Sequence, residues 1–312
     1  MTRICVALCL GLGLVLGAAA ARASDVLRSI SVSGVERSYL LHLPPIAGSG
    51  VPLPLVVVLH GRGGDARVTA ALTGFSDEAD WRGFAVAYPN GTNGEVAPPL
   101  APERPKLLVW NAGLCCGWAV DHAVDDVRFV RTLVAAIARE VAIDRQRVYA
   151  TGLSNGGMMA YRLACDASDV FAAVGVVSGA LVTPGCAPSE PVSVIQLHGS
   201  ADEILPIAGG PGGPGGPAGM TYPSAQSAIA FWSAADGCDS KPSESRPAPG
   251  IRLARYGGCR AGTAIEYYEL EAGKHSWPGG DRVAVPLAPA LHRFAATPVL
   301  WDFFASHPKR PR

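Results

Sequence analysis

The stretch Tyr149-Ala150-Thr151-Gly152-Leu153-Ser154-Asn155-Gly156-Gly157 decides how this chain is read. A short apolar strand, Val148 to Thr151, runs directly into G-x-S-x-G, and a helical segment from Met158 to Cys165 follows at once. A serine on so tight a strand-to-helix turn has its hydroxyl presented above the edge of a sheet. Gly152 and Gly156 leave room for the crowded backbone on either side of it. The start of the helix aims unpaired N–H groups at any negative charge that forms near the hydroxyl. G-x-S-x-G alone arises by chance. The strand before it and the helix after it make it specific.

Working outward, apolar runs alternate with helical patterns. Leu55 to Leu59 (LVVVL), Phe84 to Tyr88, Ala173 to Val177, Val192 to Leu197 and Ile265 to Leu270 are short continuous runs, as expected of strands covered on both faces of a parallel sheet. Between them, Asp125 to Val141 places Val127, Val130, Val134, Ile137 and Val141 on one helical face. Ala225 to Ala235 and Val299 to Phe304 are further helical segments, and Ile30 to Val32 and Arg37 to Leu43 are strands joined by a turn at Gly34. This is the order of an α/β fold with a mostly parallel central sheet and helices on both faces. No composition change or internal repeat divides it, so one domain is expected over residues 24–312. Two segments are expected to be surface loops: Gly209 to Gly219 (GGPGGPGGPAG), which suits neither helix nor sheet interior, and the polar, proline-rich Ser240 to Gly250.

A serine hydroxyl is a weak nucleophile until a base takes its proton, and on this architecture the acid and base follow it in the order Ser…Asp/Glu…His. Asp202 is the favoured acid, because His198-Gly199-Ser200-Ala201-Asp202 leaves the C-terminal end of a buried strand, where catalytic groups collect; Glu203 is its neighbour and rival. His275, in Gly273-Lys274-His275-Ser276-Trp277-Pro278-Gly279-Gly280 just after the last strand, is the expected base. His292 and His307 belong to the terminal helical region, and His42 and His122 have no evident role. His60 and His198 end strands at the functional edge and read as supports of the site. The oxyanion formed on attack needs preorganised donors: the N–H of Asn155, and that of Arg62 in the loop Leu59-His60-Gly61-Arg62-Gly63-Gly64-Asp65. No lysine follows this loop at P-loop spacing. Trp277, Trp110 and His60 are the candidate substrate contacts, since aromatic walls suit an aryl or polyester chain. Asp125 and Asp126 precede a helix and read as capping carboxylates.

Composition sets the boundaries. The 312 residues carry 26 basic and 26 acidic side chains, so there is no electrostatic footprint for nucleic acid. With 49% hydrophobic and 17% charged residues the chain is not of disordered composition. Arg3, the apolar stretch Ile4 to Leu16 and Ala21-Arg22-Ala23 form a secretory signal with cleavage expected after Ala23, residues 1–23 in all. The apolar stretch is short for a membrane anchor, so no membrane association is expected after cleavage. Removing the signal leaves Cys115, Cys116, Cys165, Cys186, Cys238 and Cys259, an even number that implies disulfides in an exported protein. Cys238 is expected to pair with Cys259 across one polar loop, and Cys115 and Cys116 to pair outward with Cys165 and Cys186. The cysteines have neither C-x-x-C spacing nor histidines at ligand spacing, so no metal site is expected.

LHG, WNAGLCCG, VDDV, GLSNGGMMAYRLAC, HGSAD and HSWPG, in that order, resemble the secreted esterases of the polyhydroxybutyrate-depolymerase-like group, related to the feruloyl and acetylxylan esterases of the esterase D-like α/β-hydrolases. The resemblance runs from about Val26 to the end. It implies an α/β-hydrolase fold with Ser154 as nucleophile, Asp202 as orienting acid, His275 as base, and Arg62 and Asn155 as oxyanion donors. Many relatives carry a small residue or cysteine where Arg62 stands, and the Gly209 to Gly219 insertion follows the acid loop directly, where it either borders the cleft or decorates its rim. The expected protein is a secreted, monomeric, cofactor-free serine carboxylesterase. Its expected substrates are polyhydroxybutyrate-type oligomers or feruloyl esters of plant cell walls. Acetylxylan, a peptidase on the same fold, and a catalytically silent binding protein are the alternatives; the intact Ser-Asp-His order speaks against the last.

Overall fold

The computed structural model describes residues 24–95, 107–280 and 294–310. The expected signal at 1–23 and His292 lie outside the described residues. In chain order the strands are β1 (Ser24–Val32), β2 (Val35–Leu43), β3 (Leu53–Leu59), β4 (Ala85–Pro89), β5 (Ile143–Leu153), β6 (Ala173–Val177), β7 (Ser193–Gly199), β8 (Gly210–Pro211), β9 (Thr221–Tyr222), β10 (Ser243–Ala248), β11 (Ile251–Tyr256) and β12 (Ile265–Leu270). The helices are α1 (Ala66–Thr73), α2 (Phe75–Arg82), α3 (Gly117–Asp121), α4 (Asp126–Glu140), α5 (Asn155–Asp166), α6 (Ala225–Ala235) and α7 (Ala296–Ser306).

Ten strands form one sheet in the order β1-β2-β4-β3-β5-β6-β7-β12-β11-β10. The six central strands, β4 to β12 in that order, run parallel, and antiparallel strands close both flanks. Every residue of β3 is buried, as its unbroken apolar sequence requires. Its side chains alternate: Leu55, Val57 and Leu59 join a core with α4, α5 and α6, while Val56 and Val58 join a second core with α1, α2 and α7. Helices therefore cover both faces. β3, β5 and β7 all end at the same edge, and the loops that leave them carry Arg62, Ser154 and Asp202.

The structure departs from the sequence expectations at two loops and one set of cysteines. Residues 240–250 are not a free loop: Ser243–Ala248 is the outermost strand, paired with β11. Its polar residues face solvent, and Pro247 sits at a register shift where the ladder needs no N–H from it. Gly209 to Gly219 is pinned at its ends by the β8–β9 ladder, Gly210 opposite Tyr222. Cys238 pairs with Cys259 as expected, but Cys165 pairs with Cys186, and the neighbours Cys115 and Cys116 pair with each other. Cys116 lies beside Asn155 at the start of α5, whereas Cys165 is ten residues further along it, roughly 15 Å away at 1.5 Å per residue. That exceeds the reach of a disulfide.

Candidate active site

Ser154 occupies a left-handed backbone conformation, φ 58° and ψ −122°, between the end of β5 and the first turn of α5. Its N–H donates to Val177 O at 2.9 Å, and its carbonyl accepts from Met158 N at 2.9 Å, which fixes the turn to β6 and to the helix. A Cβ on Gly152 would lie 2.5 Å from the Gly156 backbone, and one on Gly156 would lie 2.2 Å from Leu59 O. Both contacts are with backbone, which cannot step aside, so only glycine fits at either position.

Asp202 lies in the turn after β7. Its Oδ1 accepts the N–H of Ile204 at 3.0 Å and of Leu205 at 2.9 Å. His275 Nδ1 donates to Asp202 Oδ2 at 2.9 Å and lies 3.1 Å from Oδ1. Burial alone would raise the Asp202 carboxyl, but the bond from His275 and its charge, the Leu205 N–H and the nearby His198 together hold it below its ordinary value. The carboxylate is thus an anion at neutral pH and fixes the His275 tautomer with the proton on Nδ1, leaving Nε2 free to accept. Ser154 and His275 line one cleft.

His198 supports the acid loop. Its Nε2 donates to Leu205 O at 2.8 Å, and its Nδ1 faces Gln196 Nε2 at 3.3 Å. Burial lowers its pKa, so it stays neutral.

The side expected to hold the oxyanion is built from three interlocked segments. Asn155 is the first residue of α5, where backbone N–H groups have no partner inside the helix. Its side chain clasps the backbone of Trp110: Oδ1 accepts Trp110 N at 2.8 Å and Nδ2 donates to Trp110 O at 3.1 Å. Trp110 Nε1 donates to His60 O at 3.0 Å. His60 Nδ1 donates to Gly61 O at 2.8 Å, and its Nε2 accepts Gly91 N at 2.9 Å. Burial pushes the His60 imidazole down to about 4, so near neutral pH it is uncharged and holds these two bonds. Gly61 comes close enough that an added Cβ would touch Leu153 O at 3.3 Å and Ser154 Cβ at 3.6 Å. Arg62 is therefore the next residue along a loop that lies against Ser154.

His60, Trp110 and Trp277, the expected substrate contacts, lie beneath the cleft rather than in its wall. All three are buried, at 1%, 0% and 2% exposure, and none lines the cleft. Trp277 packs edge-on against Phe75, and its Nε1 donates to Thr297 Oγ1 at 3.0 Å. The walls are instead Val68, Leu72, Leu153, Met158, Ile204 and Leu205, around a cavity of about 320 Å³. Tyr222, Cys116 and the glycine turn Gly215-Gly216-Pro217 complete it, so the insertion borders the cleft. No local pattern marks these residues except that Tyr222 closes the glycine-rich insertion.

Asp125 does cap α4, accepting Arg128 N at 2.9 Å. Asp126 does not share that role. It is fully buried, bonded to Arg37 at 2.8 Å through Oδ1 and to Asn111 N at 2.8 Å through Oδ2. It ties the segment that carries Trp110 to α4.

Residues 37–210, more than half of the chain, match the family described as esterase PHB depolymerase. The chain belongs to the esterase PHB depolymerase family. "Putative esterase NocK" of Nocardia uniformis subsp. tsuyamanensis is 31% identical over 292 residues, 87% of this chain and 78% of that protein. Feruloyl esterase D of Neurospora crassa is 26% identical over 278 residues, 88% of this chain and 83% of that one. Acetyl xylan esterase from Aspergillus awamori shares the fold, with a TM-score of 0.60 at 15% identity over 90% of this chain and 99% of that one. This member of the esterase PHB depolymerase family is an α/β-hydrolase that hydrolyses carboxylic esters.

Proposed function

We propose that this enzyme is an exported serine carboxylesterase that works through an acyl-enzyme on Ser154. The observation that carries the assignment is the 2.9 Å bond from His275 Nδ1 to a buried, fully engaged Asp202, in the cleft that Ser154 also lines. Ser154 Oγ attacks the ester carbonyl while His275 Nε2 takes its proton. The carbonyl oxygen gains negative charge and turns toward the N–H groups of Asn155 and Arg62. Collapse expels the alcohol, protonated by His275, and leaves the acyl group on Ser154. Water then attacks the acyl carbon as His275 takes one of its protons; the acyl–Oγ bond breaks, His275 returns the proton to Ser154 Oγ, and the acid is released. Asp202 holds the imidazolium in both halves and is not itself protonated.

The substrates proposed are hydroxybutyrate oligomers and hydroxycinnamoyl esters. The apolar walls and a volume of about 320 Å³ admit an acyl or alcohol group of that size. Export, with cleavage after Ala23, and action as a monomer belong to the same proposal. Three disulfides among the described residues fit an oxidising compartment, and no helix there is long and apolar enough to cross a membrane.

The test is hydrolysis of p-nitrophenyl butyrate, methyl ferulate, acetylated xylan and 3-hydroxybutyrate oligomers by the mature chain and by Ser154→Ala. Turnover in the first and its loss by about a thousandfold or more in the second is expected. Turnover that survives in Ser154→Ala removes the nucleophile assignment.

A further inference from the structure

Most polar groups near Ser154 are engaged, but two in the cleft wall are not. The Arg62 guanidinium is exposed, lines the cleft, and has no ion pair or hydrogen bond among the described residues. The Tyr222 side chain lines the same cleft at 3% exposure, and its hydroxyl is buried without a hydrogen-bond partner among the described residues. A buried, unpartnered hydroxyl is uncommon in folded proteins, and one in a ligand cleft points to a partner that arrives with the ligand. Both residues line the one cleft, and the Arg62 charge opposes the burial that raises the Tyr222 phenol. The competing anion in this wall, Asp65, is already engaged, its Oδ1 accepting Val68 N at 2.8 Å at the start of α1.

Tyr222 owes its position to the insertion. The β8–β9 ladder seats it, and the turn through Gly212, Gly213 and Gly216 passes over its ring. A Cβ at Gly212 would lie 2.7 Å from the Tyr222 ring, and one at Gly216 would lie 3.8 Å from its hydroxyl. The segment lying over the phenol is therefore glycine backbone.

We propose that Arg62 and Tyr222 form a carboxylate-recognising subsite, so that the enzyme selects esters that carry a free carboxylate near the scissile bond. An unpaired guanidinium and an unpaired hydroxyl donor are the complement of a carboxylate, which accepts at both oxygens. Among the substrates proposed above, a short linear hydroxyacid oligomer has this feature at its acid end. Hydroxycinnamoyl esters of sugars do not. The inference rests on the esterase assignment and sharpens its substrate class.

The experiment compares the linear 3-hydroxybutyrate dimer as the free acid with the same dimer carrying a terminal primary amide, with cleavage of the internal ester followed by product separation. p-Nitrophenyl butyrate serves as a simple neutral ester. The wild type is expected to prefer the acid over the amide by tenfold or more in kcat/KM, mostly through KM, and added salt is expected to shrink the preference. Arg62→Gln is expected to bring the ratio close to one and Tyr222→Phe to lower it about threefold or more. Because each ratio is taken within one variant, a general loss of activity or folded protein cancels. Equal rates for acid and amide in the wild type, or a ratio that both substitutions leave in place, overturns the subsite while p-nitrophenyl butyrate cleavage preserves the esterase assignment. Failure to cleave any of the three overturns both.

Discussion

Asp202 and Asp236 are both buried carboxylates, one in the turn after β7 and one at the end of α6, yet their surroundings differ. Asp202 accepts two backbone N–H groups and the His275 N–H, and is held below its ordinary value although burial works against it. Asp236 ends α6 beside the Cys238–Cys259 bridge with 0% exposure; no well-formed hydrogen bond reaches either carboxylate oxygen among the described residues, and Thr263 and the backbone of Val192 oppose its burial only in part. Burial pushes it up to about 6. Burial alone thus does not fix the charge state; the donors and charges around the carboxylate decide it, His275 foremost for Asp202. Only the first of these residues can serve as a permanent anion behind an imidazole.

The largest effect separating the two is catalytic. Asp202→Asn keeps the shape but removes the charge and lets His275 take the wrong tautomer. A fall in kcat of about a thousand- to ten-thousandfold is expected, with the thermal transition little moved. Steady-state kinetics beside a melting curve checks it. A tenfold loss or less would mean that Asp202 does not orient the base. Asp236→Asn should leave kcat within a factor of about two.

Next in size is a third buried carboxylate. Asp126 is satisfied by Arg37 and Asn111 N, and Arg37 also lies over Phe129 at 4.0 Å. Asp126→Ala leaves the buried guanidinium unpaired and frees Asn111 N. A loss of about 3–5 kcal/mol is expected from urea unfolding. Activity should fall too, because the segment released carries Trp110, which holds Asn155.

Asp236 gives a stability effect of the other sign. Its folded pKa, about 6, lies above the ordinary 3.8, so the folded protein holds a proton that the unfolded chain gives up. Its contribution is fully present below about pH 4 and is lost as pH rises through 6. Asp236→Asn mimics the protonated form at every pH. It should be neutral near pH 4 and stabilising by about 2–3 kcal/mol at pH 8, some 5–10 °C in Tm. Melting curves at both pH values read the difference. An equal gap at both would show that the carboxyl does not titrate in this window.

These contrasts explain what could be seen in the sequence. The turn around Ser154, the strand-helix alternation and the positions of Asp202 and His275 are local patterns: a glycine where no Cβ fits, an apolar run, a residue one loop beyond a strand end. Gly152 and Gly156 were legible because the clash they avoid lies within the same turn and the adjoining β3. The lining of the cleft was not legible. Trp110 and His60 stand close to the site in sequence motifs, but they are buried beneath it and act through Asn155 and Gly61. Tyr222 comes to the cleft only because a two-residue ladder folds the insertion back. The pairing of Cys115 with Cys116 depends on the distance along α5 to Cys165, which spacing does not give.

The adjacent pair Asp125 and Asp126 isolates this limit, since both sit at one helix start and look alike in the sequence. Asp125 is exposed and accepts Arg128 N at 2.9 Å, so its loss leaves one N–H to water rather than a buried cation without its anion. Asp125→Ala should therefore cost about 1 kcal/mol in urea unfolding, and Asp125→Ser, which can still cap, only a fraction of that. The comparison with Asp126→Ala is the informative one. If the neighbouring substitutions cost the same, the buried pair with Arg37 contributes no more than a surface cap, and the tie between α4 and the Trp110 segment would have to come from Asn111 Nδ2, which donates to Val124 O at 3.0 Å. If Asp126→Ala costs several times more, the anchoring of the oxyanion side runs through that carboxylate.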